Sequence, residues 1–312
     1  MQSLISRPWL WAWLAAIAVF ALSIALSGAS QAGGLLYAAL SFGAFAAIVG
    51  IGQMLVITLG PGNIDLSIPA VMTLAGTLAL KAMGGAPGTA LLGLGVALLV
   101  GLGCGAANFA LIRLLRLPPI IATLAASLLY QSLAIWSNRG LRIKPPAALA
   151  DFATGRTLGV PNVALIGVLL ALVVWWLLER GLWGRWLLAT GQNPRAARLA
   201  GVPVERVRAS AYLSVALLAG LTGFLLASFS GGAALNMGQQ YLLLSIAVVV
   251  IGGTSIAGGF SNVPGVWGAA LFMFLVVSML NAYGFDAGAR MMLTGTIIIA
   301  IVIAANARRR RA

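Results

Sequence analysis

The stretch Gly60-Pro61-Gly62-Asn63-Ile64-Asp65-Leu66-Ser67 lies between two apolar runs, each long enough to cross a membrane. Hydrocarbon offers no hydrogen bonds to open backbone. A glycine- and proline-broken segment is therefore tolerated at that depth only where it is packed in protein or lines a polar path. Paired discontinuities of this kind point to the site of a transporter. A second break, Gly252-Gly253-Thr254-Ser255-Ile256-Ala257-Gly258-Gly259, lies far down the chain. Tight turns with positive φ and close backbone approach account for its paired glycines.

Working outward, the rest of the chain is of one kind. It is 61% apolar and only 8% charged, whereas soluble domains are nearer half apolar and a quarter charged. The fold class is an all-α polytopic membrane protein, one transmembrane domain over 1–312. A spanning helix needs about 20 mostly apolar residues. The apolar runs predict ten spans: 9–29, 35–60, 66–84, 88–112, 118–137, 162–179, 208–229, 241–256, 264–283 and 289–306. The first run follows Arg7 and is longer than a signal-peptide core, so it reads as an uncleaved helix.

Nineteen basic residues face five acidic ones, a net charge of +14. In a chain this apolar the excess reflects basic cytoplasmic loops rather than nucleic-acid binding. With both termini inside, Arg7, Arg113, Arg116, Arg180, Arg185, Arg195, Arg198, Arg206, Arg208 and Arg308 to Arg311 are cytoplasmic. Lys81, Arg139, Arg142, Lys144, Arg156 and Arg290 fall outside, four of them between Asn138 and Pro161. The lone Cys104 excludes a disulfide framework, and the absence of histidine leaves no His/Cys metal site or catalytic triad. Neither lysine follows a phosphate-cradling glycine motif, so the chain is not itself a nucleotide-driven enzyme.

Three features carry candidate function. Asn63 and Asp65 precede a helical run, where they can cap its free N–H groups or offer hydrogen bonds to a solute. Asp65 is the only acid in the first 150 residues, and an ionisable group at membrane depth is a functional candidate by default. A neutral polar solute needs neutral hydrogen-bonding groups; the candidates are Gln53, Asn63, Ser67, Asn108, Tyr130, Gln131, Asn236, Gln239, Gln240 and Tyr241, and the ionisable Asp65 is a pathway candidate beside them. The third feature is a loop over about 184–207. Asn193 and Pro194 suit the cap and first position of a short helix, and Gly201 suits its stop. Ala196, Ala197 and Ala200 place small residues on one side, beside Arg195 and Arg198. Such a helix suits docking into a groove of a partner protein or lying on anionic lipid. Finally, Leu66 to Val71 is similar to Leu244 to Val249, an offset of five spans that points to an inverted five-helix repeat.

Three of these stretches together resemble the permease subunit of ribose-type bacterial ATP-binding-cassette importers, the branch shared with branched-chain amino acid permeases. They are Gly62 to Ser67, the loop Gly191-Gln192-Asn193 through Gly201, and Val248 to Gly259. The chain departs from that family's pattern at Pro61, Pro69 and Tyr241 to Leu244. The resemblance implies a ten-helix, type II-like permease in the bacterial inner membrane and a dimer of permeases forming one pathway. It further implies cytoplasmic ATPase subunits, a periplasmic binding protein that delivers a monosaccharide or similar solute, and no cofactor. The loop residues Gly191, Asn193, Arg195, Ala196, Ala197, Arg198, Ala200 and Gly201 would then couple to the ATPase. A branched-chain amino acid as solute, or an ion-coupled secondary transporter, is the alternative.

Overall fold

A computed structural model describes residues 8–138 and 143–286, together with 288–289, 292–297 and 299. Among these residues the chain forms twelve α-helices: α1 (Pro8–Ser27), α2 (Ala32–Thr58), α3 (Ile68–Met83), α4 (Ala90–Leu114), α5 (Pro119–Ser137), α6 (Ala147–Thr154), α7 (Asn162–Glu179), α8 (Leu182–Gln192), α9 (Pro194–Leu199), α10 (Val204–Phe229), α11 (Tyr241–Ile251) and α12 (Val263–Ala282). A two-stranded antiparallel hairpin, β1 (Arg156–Thr157) with β2 (Val160–Pro161), precedes α7. Seven of the described helices, α1, α2, α4, α5, α7, α10 and α12, are long and apolar enough to cross a membrane.

The central post is α2, buried almost continuously from Ser41 to Thr58. Small residues let its neighbours approach, as expected where lipid supplies no hydrophobic drive between helices. Gly50 lies against Val248 of α11 and Val266 of α12, and Gly52 against Val215 of α10. The same device joins α4 to α10: Gly101 and Gly105 sit on the backbone of Ala216 and Tyr212, and Gly220 on that of Ala97.

The bundle has two ends. At one, α2 stops, α3 starts, and α8 and α9 lie close by; we call it the α9 end. At the other, the hydroxyl of Tyr37 donates to the Thr154 carbonyl, and the Arg156 guanidinium stacks over the Tyr37 ring 4.1 Å from its centroid. The segment between Asn138 and Pro161, which lies between two predicted spans, therefore contains α6 and the hairpin, both tied to the start of α2.

Predicted spans one to seven and nine match helices, with ends shifted by a few residues. The eighth differs. The apolar run continues to Ile256, yet α11 stops at Ile251, because Gly252 and Gly253 start a turn in which Gly253 takes φ +87°. Upstream, residues 230–240 are irregular and descend beside α3. The Gln131 amide donates to the Leu235 carbonyl at 2.8 Å, Met237 lies against Gly76, and Gly238 against the Pro69 backbone. The stretch 230–251 is thus open chain in its first half and an 11-residue helix in its second. The tenth predicted span, 289–306, falls largely outside the described residues, as do Arg7, Arg139, Arg142, Arg290 and Arg308 to Arg311.

Candidate functional site

The first break is built by alternation. Pro61 and Gly62 are exposed at its tip, while Asn63, Asp65 and Ser67 are 6%, 1% and 0% exposed. Neither Asn63 nor Asp65 caps α3 as the sequence suggested. The N-cap position is Ser67, which makes no side-chain cap bond, and Pro69 in the first turn removes one of the N–H groups that need a partner. The Asp65 carboxyl instead accepts from Ser67 twice, from the backbone N–H at 2.8 Å and the hydroxyl at 2.6 Å.

The network then leaves the break. The Asn108 amide of α4 donates to Ser67 Oγ at 2.7 Å and to Asp65 Oδ2 at 3.4 Å. Asn108 Oδ1 and the Cys104 carbonyl lie within 3.0 Å of the Tyr130 hydroxyl on α5. Gln53 Oε1 of α2 accepts from the Asp65 N–H at 3.3 Å, and Thr123 Oγ1 of α5 from the Leu66 N–H at 3.0 Å. Asn63 donates to the Gly60 carbonyl and accepts from the Tyr212 hydroxyl of α10, both at 3.2 Å. One break thereby fastens α2, α4, α5 and α10. No cation pairs with Asp65 among the described residues; the stabilisation comes from neutral donors, which compensate a buried carboxyl's lost solvation.

The sequence candidates therefore divide. Gln53, Asn63, Asp65, Ser67, Asn108 and Tyr130 are buried and bonded to one another or to nearby backbone. Gln131 holds the descending segment 230–240, and Tyr241, 2% exposed, opens α11 inside the protein. Of the candidates, only Asn236, Gln239 and Gln240 are exposed, all on that segment. Thr123 and Tyr212 belong to the network but were not among the sequence candidates, because nothing local marks a threonine or tyrosine in an apolar helix as a partner for a distant loop.

The second break meets the first. The Gly259 N–H donates to the Thr58 carbonyl at 2.9 Å, where α2 ends. Gly258, at φ +88°, lies on the backbone of Gly60, and Gly191 packs against the Thr58 carbonyl and Gly259. A Cβ at Gly191 or Gly258 would collide with main-chain atoms. Asn262 closes the turn, donating to the Gly252 carbonyl at 2.8 Å and accepting from the Gly265 N–H of α12 at 3.2 Å. Two of the stretches that carried the resemblance thus meet each other and the residues just before the third, Thr58 and Gly60, in one seam at the α9 end.

From that seam Asn193 caps α9, accepting from the N–H groups of Arg195 and Ala196 at 3.0 and 3.1 Å. Gly201 stops it at φ +82°. Arg195, Ala196, Arg198, Ala200 and Gly201 are exposed, and Leu199 is 91% exposed. Ala197 is 5% exposed and faces inward, so the expectation that Ala196, Ala197 and Ala200 share a docking side is corrected for Ala197. Glu205 at the start of α10 reaches Arg113 of α4 at 3.3 Å, Arg198 of α9 at 3.4 Å and Arg208 at 3.8 Å.

A bundle of apolar helices with a buried polar lock, two glycine breaks and a protruding helical loop defines a polytopic membrane transport subunit. Residues 34–302 match the family described as branched-chain amino acid transport system / permease component. The chain belongs to this family of importer permeases. Among its relatives is the probable ABC transporter permease protein y4mJ of Sinorhizobium fredii, 32% identical over 283 residues, 88% of this chain and 84% of that protein. The ribose import permease protein RbsC of Escherichia coli is 30% identical over 265 residues, 83% and 82% of the two chains. The fructose import permease protein FrcC of Rhizobium meliloti is 32% identical over 271 residues, 83% and 74%.

Proposed function

We propose that this chain is the permease of an ATP-driven importer, translocating a monosaccharide or similar small polar solute handed over by an extracytoplasmic binding protein. The relatives named for ribose and fructose import support a sugar over a branched-chain amino acid. ATP hydrolysis belongs to a separate subunit that grips the α9 end. The observation that carries this reading is the seam: α8, which runs directly into α9, meets both breaks backbone to backbone, through Gly191, Thr58, Gly258 and Gly259. Displacing α9 moves the ends of α2 and α11 without an intervening flexible side chain.

In this mechanism the α9 end is cytoplasmic. It carries Arg113, Arg180, Arg185, Arg195, Arg198, Arg206 and Arg208, as the bias of basic residues to the inner face requires. The inner-membrane location and cytoplasmic termini follow from that orientation. Two short apolar helices, α3 of 16 residues and α11 of 11, correspond to the third and eighth predicted spans, which supports the inverted five-helix plan. The exposed Asn236, Gln239 and Gln240 on irregular backbone fit a water-filled face rather than lipid. Completing that path requires a second permease, a copy or a paralogue. Binding energy is then used in two places: the buried lock holds the four helices in register, while the exposed amides exchange hydrogen bonds with solute.

The test is reconstitution. Proteoliposomes holding this chain, its ATPase and its binding protein should accumulate labelled sugar only with ATP. Accumulation by this chain alone under an ion gradient refutes the proposal in favour of a secondary carrier.

A further inference from the structure

At the end of the bundle remote from α9 lies a cavity of about 430 Å³, bounded by the ends of α3 and α5 and the start of the descending segment. The chain contains two lysines, and both, Lys81 and Lys144, line it. None of the five acidic residues does. Ser137, Asn138 and Ser230 contribute hydroxyl and amide groups to the wall. Thr77 also lines it, is 4% exposed, and its hydroxyl has no hydrogen-bond partner among the described residues. A buried hydroxyl without a partner is costly, and the wall carries two exposed lysines and no acid.

We propose that this cavity binds a small organic oxyanion, a polyhydroxylated molecule carrying one carboxylate, of which a sugar acid is the fitting class. The volume suits a monosaccharide-sized ligand. The lysines supply compact positive charges for the carboxylate; Thr77, Ser137, Asn138 and Ser230 supply partners for hydroxyl groups. The cavity opens onto residues 230–234, the head of the segment that bears Asn236, Gln239 and Gln240, so a ligand held there stands at the entrance to the path. The assignment rests on the permease reading above and narrows its solute to an anionic sugar.

The lysine pair makes the experiment direct, because amine-reactive labelling followed by mass spectrometry reads both walls of the cavity. In the full chain in lipid nanodiscs, gluconate at ten times its Kd should slow labelling of Lys81 and Lys144 about tenfold, as mass action requires, and glucose should not. Lys81→Gln should abolish protection at Lys144, and Lys144→Gln at Lys81. Thr77→Val, which keeps both charges, should weaken protection several-fold and serves if a lysine variant fails to fold. The proposal is overturned if gluconate protects neither lysine, if glucose protects equally, or if chloride at the same ionic strength does. Protection that appears only when the binding protein is added assigns the carboxylate to a side chain of that partner and also overturns it. ATP-driven uptake of a neutral sugar by the assembled importer, measured alongside, separates the two readings: uptake without gluconate protection leaves the permease reading intact.

Discussion

Asp65 illustrates what a single residue does here. Its carboxyl is the acceptor for three donor groups, and nothing else at the break can replace it. Asp65→Ala leaves the Ser67 N–H and part of the Asn108 amide unsatisfied in a buried site. We expect a loss of ~2–4 kcal/mol, from the desolvation cost of each orphaned donor, read as a lower unfolding temperature in detergent. Asp65→Asn should cost less: its amide oxygen still accepts from Ser67, but its NH2 group then faces the Asn108 NH2 group, donor against donor. Equal effects of the two variants would show that the Ser67 bonds, which only the asparagine keeps, contribute nothing net. The sequence marked Asp65, Ser67 and Asn108 because polar groups are rare in such a chain. It did not pair them, since Asn108 and Tyr212 reach the break only once helix rotations and tilts are set by packing over the whole bundle.

At the scale of elements, α9 divides into an anchor and a display. Ala197 is the anchor; Ala196, Leu199 and Ala200 are displayed. Leu199→Asp should leave the melting temperature unchanged and uncouple ATP hydrolysis from uptake in the assembled importer, whereas Ala197→Trp should destabilise α9 itself by overpacking, ~1–3 kcal/mol. Gly191→Ala is the more severe change, because the obstacle is main chain that cannot rotate away. We expect poor yield of folded protein from that variant, with normal yield for Gly103→Ala on α4, where the backbone is helical and nothing crowds the α-carbon. Asn193, Pro194 and Gly201 announced α9 correctly, since caps and stops are written locally. The glycine break after α11 was visible in the sequence, but the predicted span overran it to Ile256, and the open chain before α11 left no signal of its packing beside α3. Hydropathy reads apolarity, and an apolar run says nothing about whether its backbone is helical.

Across the whole molecule, depth can be read along the helices. Asn108 stands ~8 Å above Arg113 on α4, and Tyr212 ~10 Å above Glu205 on α10, at 1.5 Å per residue. The lock therefore sits two turns inside the bundle from a charge cluster in which Glu205 serves three arginines. If residues 230–240 face water, a cysteine at Asn236 should react with a polar maleimide in membranes. One at Leu128, 68% exposed on the apolar α5, should not. The native Cys104 is 6% exposed and gives little background. Equal reactivity at both sites would remove the aqueous face. The fold class was legible throughout, because membrane solvation imposes one rule on every span; the assembly was not, because a partner's surface leaves no mark on one chain's periodicity. The seam of Gly60, Gly191, Gly258 and Gly259 has a last consequence. A gear whose teeth are bare peptide cannot be retuned by degrees, since even a methyl group jams it. On the function proposed above, new cargo is accommodated by redesigning the entrance and the descending segment of amides, so that the transmission stays fixed while the freight changes.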